Sequence, residues 1–169
     1  VGTDTVAHQK VVDLKAKTTV ILPSSIDNIV PKANIKLANE ILHNGGLFLS
    51  EYPPKSIVHK SNYVNRNRLQ AALSKAVFVA QSGVPGGTLH TAKYALMYNK
   101  KLFVYNPKSD EIQYAGNNKL LQENSEIDSF DFLNITTSDE IAFLKEKLNL
   151  IDAEITDKES IVNAITSLL

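Results

Sequence analysis

The alternation of short apolar runs with helical periodicities constrains this chain more than any other feature. Thr18-Thr19-Val20-Ile21-Leu22, Leu47-Phe48-Leu49-Ser50, Ala76-Val77-Phe78-Val79-Ala80 and Leu102-Phe103-Val104-Tyr105 are β-rich and apolar on both faces, the pattern of strands covered on both sides. Between them lie stretches with helical spacing. One is led by Thr3 or Asp4 as cap, with Val6, Ala7, Val11 and Leu14 inward. Another carries Ile35, Leu37, Ala38, Ile41 and Leu42, and a third runs from about Asn62 to Ser74. The last starts at Thr88 and runs to Asn99, with Ala92, Ala95 and Leu96. Strand and helix in strict alternation, at crossover lengths, predict a parallel sheet. The expected fold is α/β: a doubly wound, mostly parallel, Rossmann-like sheet over residues 1–136, with a helical C-terminal extension over residues 137–169. In that extension, Asp131 to Ile135 reads as a small edge strand, Ser138-Asp139-Glu140 opens a helix, and Thr156 to Glu159 has capping-box spacing.

Size and composition narrow the function classes. A chain of 169 residues, 43% apolar and without cysteine, can bury a core unaided and has no thiolate chemistry or cysteine-based metal site. Eighteen cations balance eighteen acids, so any polyanionic partner must be met by a local patch. The four histidines, at 8, 43, 59 and 90, lack metal-ligand spacing and read as surface or packing residues, as Met97 reads as core. No cofactor is expected. No apolar run approaches a membrane span, and the expected location is cytoplasmic.

In such folds ligands bind outside the carboxyl ends of the strands, where two segments stand out. The first is Gly83-Val84-Pro85-Gly86-Gly87-Thr88. Gly86 and Gly87 allow close approach of an anion to backbone, and the amides that open the following helix favour phosphate. A tight turn that needs glycine only for space is the competing reading. The second is His59 to Arg68, in which Lys60, Arg66 and Arg68 arrive with Asn62, Tyr63, Asn65 and Asn67 and no acid. Lysine offers a point charge, arginine a forked donor, and tyrosine a stacking face for a base. A solvated helix start is the alternative. Arginines two apart point to different sides of a helix, so only one of the pair is expected to touch a ligand. Glu51, at a strand end, is the one acid placed like a general base; the same position suits an acid that orients Arg66 or Arg68.

Read together, the segments resemble the DNA-processing protein A family (DprA, or Smf). Gly2-Thr3-Asp4-Thr5-Val6-Ala7-His8 is similar to its G-I-D-x-x-A-H turn. Asn44-Gly45-Gly46 through Ser50-Glu51-Tyr52-Pro53-Pro54 is similar to N-G-G-x-x-x-S-E-Y-P-P. Asn62, Arg66-Asn67-Arg68 and Leu73-Ser74 follow G-N-F-x-x-R-N-R-x-x-A-x-L-S. Gly86-Gly87-Thr88-Leu89 with Thr91-Ala92 resembles S-G-S-L-x-T-A, and Gly116-Asn117 with Leu120-Leu121 resembles G-x-N-x-L-I. The resemblance implies an extended Rossmann domain that captures single-stranded DNA without catalysis, dimerises, and helps load a RecA-type recombinase in DNA uptake and natural transformation. By position it implies a nucleic-acid site of Lys60, Asn62, Tyr63, Arg66, Asn67, Arg68, Gly86, Gly87 and Thr88.

The sequence departs from the family pattern at Ser61 (glycine in the family), Val64 (often proline) and Pro85 (often lysine). The family's first strand and G-S-R turn are expected upstream of Val1, from which a further arginine would join the pocket. The rival is an enzyme. Pro85-Gly86-Gly87-Thr88 also resembles the P-G-G-x-G-T-x-x-E turn of LOG-type nucleoside-monophosphate phosphoribohydrolases, but Leu89 to Lys93 offers no acid after the turn. A relative that binds a mononucleotide signal in the same pocket is the third class.

Overall fold

The computed structural model describes residues 2–107, 110–124 and 127–130. Five helices and five strands alternate among them: α1 (Thr3–Asp13), β1 (Thr19–Ile21), α2 (Ile35–His43), β2 (Leu47–Leu49), α3 (Lys60–Leu73), β3 (Ala76–Val79), α4 (Gly87–Met97), β4 (Lys101–Tyr105), α5 (Ala115–Glu123) and β5 (Asp128–Phe130). Single 3-10 turns lead into α2 and α5. Every strand pairing is parallel, as the alternation requires. β1 pairs with β2 (Val20 opposite Phe48), and β3, β4 and β5 pair in that order, with Val77 opposite Leu102 and Val104 opposite Ser129. The strands thus form a two-stranded and a three-stranded sheet.

The chain divides into two compact units, with the boundary inside α3 between Arg66 and Asn67. Each has its own core. In the first, Leu37, Ala38 and Ile41 of α2 pack with Leu22 and Phe48, and Val12 and Val20 lie against them. Gly45, at φ +77°, takes the left-handed turn that ends α2 and starts the return to β2. In the second unit, Val79, Leu102 and Val104 of the sheet pack with Ala71 of α3, Ala92 and Ala95 of α4 and Leu120 of α5. Alanines at these helix positions let the helices lie close to the sheet. Phe78 stacks on Phe103 with ring centres 4.8 Å apart, a pairing worth about 1 kcal/mol beyond its burial.

Element type follows the sequence expectation, and the differences lie in faces and ends. Gly2, with no side-chain bond, is the N-cap of α1; Thr3 and Asp4 lie in its first turn. Of the apolar residues expected inward, Val11, Leu37, Ala38, Ile41, Ala92 and Ala95 are buried, while Val6, Ile35, Leu42, Leu96 and Met97 are exposed. Short helices lying on two- and three-stranded sheets bury a narrower stripe than their apolar content could fill. The strand expected at Asp131 to Ile135 and the later helices lie outside the described residues.

Candidate nucleic-acid interface

In the first unit, the carboxyl end of β1 is closed by side chains. The Ser50 hydroxyl donates to the Ser24 carbonyl at 2.6 Å, and the Ser24 hydroxyl donates to the Asn28 carbonyl at 2.6 Å. Ser24 itself is fully buried. Two residues of α3, four apart and so on one face, reach the same strand end. Asn62, buried, donates from Nδ2 to the Pro23 carbonyl at 3.0 Å, and Arg66 donates from Nη1 to the Ile21 carbonyl at 2.7 Å. Arg66 Nη2 also meets Asp4 Oδ2 at 3.4 Å, and the arginine side chain is only 12% exposed. Its Nε is buried without a hydrogen-bond partner. Beside this pair, His8 shares a 2.8 Å hydrogen bond between Nδ1 and the Thr18 hydroxyl. Burial holds the His8 imidazole below its ordinary pKa; Asp4 pulls it part of the way back, and Arg66 adds to the lowering.

A second face of α3 is open. Lys60 is exposed and Tyr63 is 44% exposed, and their three-residue spacing sets them one above the other on the helix. The loop before them is pinned. The Lys55 amide donates to both oxygens of the Asp27 carboxylate, at 3.3 and 3.2 Å, and the Ser56 hydroxyl donates to the Pro53 carbonyl at 2.6 Å.

In the second unit, the carboxyl end of β3 is organised by backbone. Asn117, fully buried in the first turn of α5, accepts the Ser82 amide at 2.8 Å through Oδ1. Its Nδ2 donates to the carbonyls of Ala80, at 3.2 Å, and Tyr105, at 2.9 Å. One amide side chain thus joins the ends of β3 and β4. The Gly116 amide adds a bond to the Ser82 carbonyl at 2.8 Å. The chain then folds back so tightly that a Cβ on Gly86 would stand 2.6 Å from Ser82 Oγ and 2.7 Å from the Gly83 carbonyl oxygen. Gly87 is different: it is exposed, and a Cβ there would meet nothing within 4 Å. Gly86 is the N-cap of α4 with no side-chain cap bond; the Leu89 amide donates to the Gly86 carbonyl at 3.2 Å, and the Gly87 and Thr88 amides open the helix ahead of it. Thr88, half-buried, lies in that turn. Asn67 Nδ2 donates to the Gly87 carbonyl at 3.3 Å, which sets this part of α3 beside the turn. Arg68 is half-buried.

Of the residues singled out from sequence, then, Lys60, Tyr63 and Gly87 face solvent. Asn62 and Arg66 are committed to carbonyls of the β1 end. Asn67 and Gly87 are brought together. The clamp formed by Asn117 was visible in the sequence only as part of a family motif. A broader signal was also present: from Tyr52 to Ser109 there is no acidic residue, while Lys55, Lys60, Arg66, Arg68, Lys75, Lys93, Lys100, Lys101 and Lys108 all fall there. Half the cations of a neutral chain are thus gathered in a third of its length. Such asymmetry is typical of chains that meet nucleic acid. Among the described residues no cluster of histidine and carboxylate could hold a metal, and no helix is long and apolar enough to cross a membrane.

Comparison with known proteins decides the family. The model of the family described as DNA recombination-mediator protein A matches residues 1–134. The chain belongs to this family. It is 38% identical to protein Smf of Synechocystis over 114 residues, 68% of this chain and 28% of that protein. It is 32% identical to DNA processing protein DprA of Bacillus subtilis over 123 residues, 72% of this chain and 41% of that protein. Two solved DprA structures share the fold. That of Streptococcus pneumoniae gives a TM-score of 0.68 at 26% identity and covers 84% of this chain and 47% of its own. That of Helicobacter pylori DprA, described for its single-stranded DNA binding mode, gives 0.64 at 27% and covers 84% of this chain and 72% of its own. The chain therefore spans well under half the length of these sequence relatives, and the Rossmann-like α/β assignment stands.

Proposed function

We propose that this chain is a binding module that captures single-stranded DNA through its backbone, with little regard to sequence, and that it acts in DNA uptake and recombination. Lys60 supplies a point charge to a phosphate, and Tyr63 a face on which a base stacks. The Gly86-Gly87-Thr88 turn supplies backbone amides, and Arg68 adds positive charge. In the first unit Asn62 and Arg66 act by bonding carbonyls of the β1 end, and in the second Asn67 acts by bonding the Gly87 carbonyl. Delivery of the bound strand to a RecA-type recombinase, by a dimer, extends this reading to natural transformation.

The observation that carries the proposal is the open face of α3, where an exposed cation and an exposed aromatic ring stand three residues apart in a segment free of acids. That pairing suits a flexible strand, whose phosphates and bases are both accessible. The same acid-free run leaves α4 without the carboxylate a phosphoribohydrolase would use to release a base.

The test is fluorescence anisotropy of labelled oligo-dT across a salt series. If about three phosphates are neutralised, log affinity falls against log salt with a slope near −2, at ~0.7 per contact on single strands. Lys60→Ala flattens that slope by roughly 0.7, while Tyr63→Ala weakens binding by about 1–3 kcal/mol and leaves the slope unchanged. A flat salt response in the wild-type chain, or release of free base from AMP, overturns the proposal.

A further inference from the structure

We propose that the bases next to the one stacked on Tyr63 rest on two exposed isoleucines, Ile26 and Ile57. The first unit would then hold a strand by a row of apolar faces and not by a single ring. This deepens the reading of the chain as a single-strand binder and rests on it.

Both isoleucines lie in loops that follow strands of the first unit, Ile26 after β1 and Ile57 after β2, at the ends where α/β folds bind ligands. Ile26 is 55% exposed and Ile57 77%. One exposed apolar side chain on a loop is ordinary, but here the loops are tied into one surface. The Asp27 carboxylate, next to Ile26 in sequence, accepts the Lys55 amide on both oxygens. Lys55 stands two residues before Ile57, a span of at most ~7 Å. Asn62, next to Tyr63, donates to the Pro23 carbonyl at 3.0 Å and so fixes the start of α3 to the β1 loop. Three segments, each bearing one exposed apolar side chain, are thus held together by bonds from side chain to backbone.

The loop after β2 is also held in a costly form. Lys55 has φ +65°, in the left-handed region that favours glycine, and Asp27 clamps it there. Backbone strain of this kind gathers at ligand clamps. A loop already fixed loses little freedom when a partner arrives. Fixing it so that Ile57 stays in water brings the free chain no burial; the return comes with a partner that covers the side chain.

The order of residues indicates which partner. Lys55, Ile57, Lys60 and Tyr63 alternate cation and apolar face along the chain, and all four are exposed. Lys32, also exposed, meets only a neutral acceptor in Asn28 Oδ1 at 3.0 Å. The acids of the two loops, Asp27 and Glu51, both have partners within the fold. An apolar protein surface would leave those ammonium groups unmatched. A single strand repeats one negative charge and one apolar face at every nucleotide, which suits cations interleaved with apolar side chains.

The experiment compares Ile26→Ala, Ile57→Ala and the double variant with the wild-type chain. One probe is labelled oligo-dT of about 10 nucleotides; the other is an abasic strand of equal length, which keeps the phosphates and lacks the bases. Each single variant is expected to bind oligo-dT about fivefold more weakly, the equivalent of leaving ~40 Å² of apolar surface in water. The double variant should lose about 25-fold, the two effects adding. The salt slope should not change, because no phosphate contact is lost. The abasic strand should bind all variants as it binds the wild type, and urea midpoints should stay the same because both side chains are exposed. Wild-type affinity for oligo-dT in the double variant, with Tyr63→Ala still weakened, overturns the inference and leaves the α3 contact standing. Equal losses on oligo-dT and the abasic strand also overturn it, since the isoleucines would then not be touching bases. A wild-type chain that binds neither strand overturns the single-strand reading itself, and this inference with it.

Discussion

The carboxyl ends of β1 and β3 solve one problem in opposite ways. Where a parallel strand stops, its last carbonyls and the amides of the following loop need partners. At the β1 end, long polar side chains arrive from elsewhere: Asn62 and Arg66 from α3 take the carbonyls of Pro23 and Ile21, and Ser50 takes that of Ser24. The charge of Arg66 is thereby absorbed into the fold, with Asp4 as its acid. At the β3 end a single neutral amide, Asn117, serves three backbone groups, and the loop beyond it is built from glycine. The first arrangement leaves a closed surface. The second leaves main chain exposed at Gly87, where an anion could approach amides directly. Basic residues near a strand end are thus a poor guide to binding until their partners are known, and uncharged segments can be the more receptive surface.

The largest effect expected from this contrast is at Asn117. Asn117→Ala would remove three hydrogen bonds at once, one from the buried Ser82 amide and two to the part-buried Ala80 and Tyr105 carbonyls. At about 1–3 kcal/mol for the buried amide left unsatisfied and about 1 kcal/mol for each further bond lost, the variant should lose about 3–5 kcal/mol. Urea denaturation with an unchanged m-value would read this directly. A loss below about 1 kcal/mol would mean that the β3 end is held by its backbone alone, and the contrast with the β1 end would disappear.

The two glycines of the turn sharpen the comparison. Gly86→Ala forces a Cβ to within 2.6 Å of Ser82 Oγ and 2.7 Å of a carbonyl oxygen; overpacking of this kind should cost about 1–3 kcal/mol. Gly87→Ala meets nothing within 4 Å and should leave the urea midpoint nearly unchanged. If phosphate approaches the backbone there, Gly87→Ala nevertheless weakens oligo-dT binding severalfold. Wild-type affinity in that variant would show that Gly87 does not line the contact, a result that circular dichroism alone could not give.

How far the sequence foretold these outcomes depends on the kind of information each needs. The alternation of strand and helix was legible because burial on both faces of a parallel strand leaves a continuous apolar run. Gly86 was legible because a tight return excludes every other residue. The roles of Asn62 and Arg66 were not: position on a helix gives a face but does not say which face meets protein. Val6, Leu42 and Met97 were expected inside for the same reason, since apolar character permits burial without requiring it. Asn117 carries no local signal, because its three partners lie 12 to 37 residues away in sequence. The acid-free run from Tyr52 to Ser109 could be read at once from the residues, but only in a window far longer than one motif.

The smallest expected effect concerns protons at the β1 end. His8 is held neutral by burial, and the nearby guanidinium of Arg66 reinforces this against the pull of Asp4. Its pKa in the folded chain therefore lies below that in the unfolded chain, which is near 6.5. Above that value both states are neutral at His8, and its full contribution to stability is present. As pH falls through about 6.5 the unfolded chain takes up the proton first. Stability then declines until the folded chain is protonated as well. His8→Asn keeps a polar group near the Thr18 hydroxyl and removes the titration, so urea midpoints between about pH 7.5 and 5.5 should fall less steeply in the variant than in the wild type. The β3 end has no such group among the residues that close it. If His8→Asn leaves the acid-side slope unchanged, the coupling of His8 to the Arg66–Asp4 pair is not what makes the β1 end sensitive to acid, and carboxylates elsewhere in the chain carry that dependence.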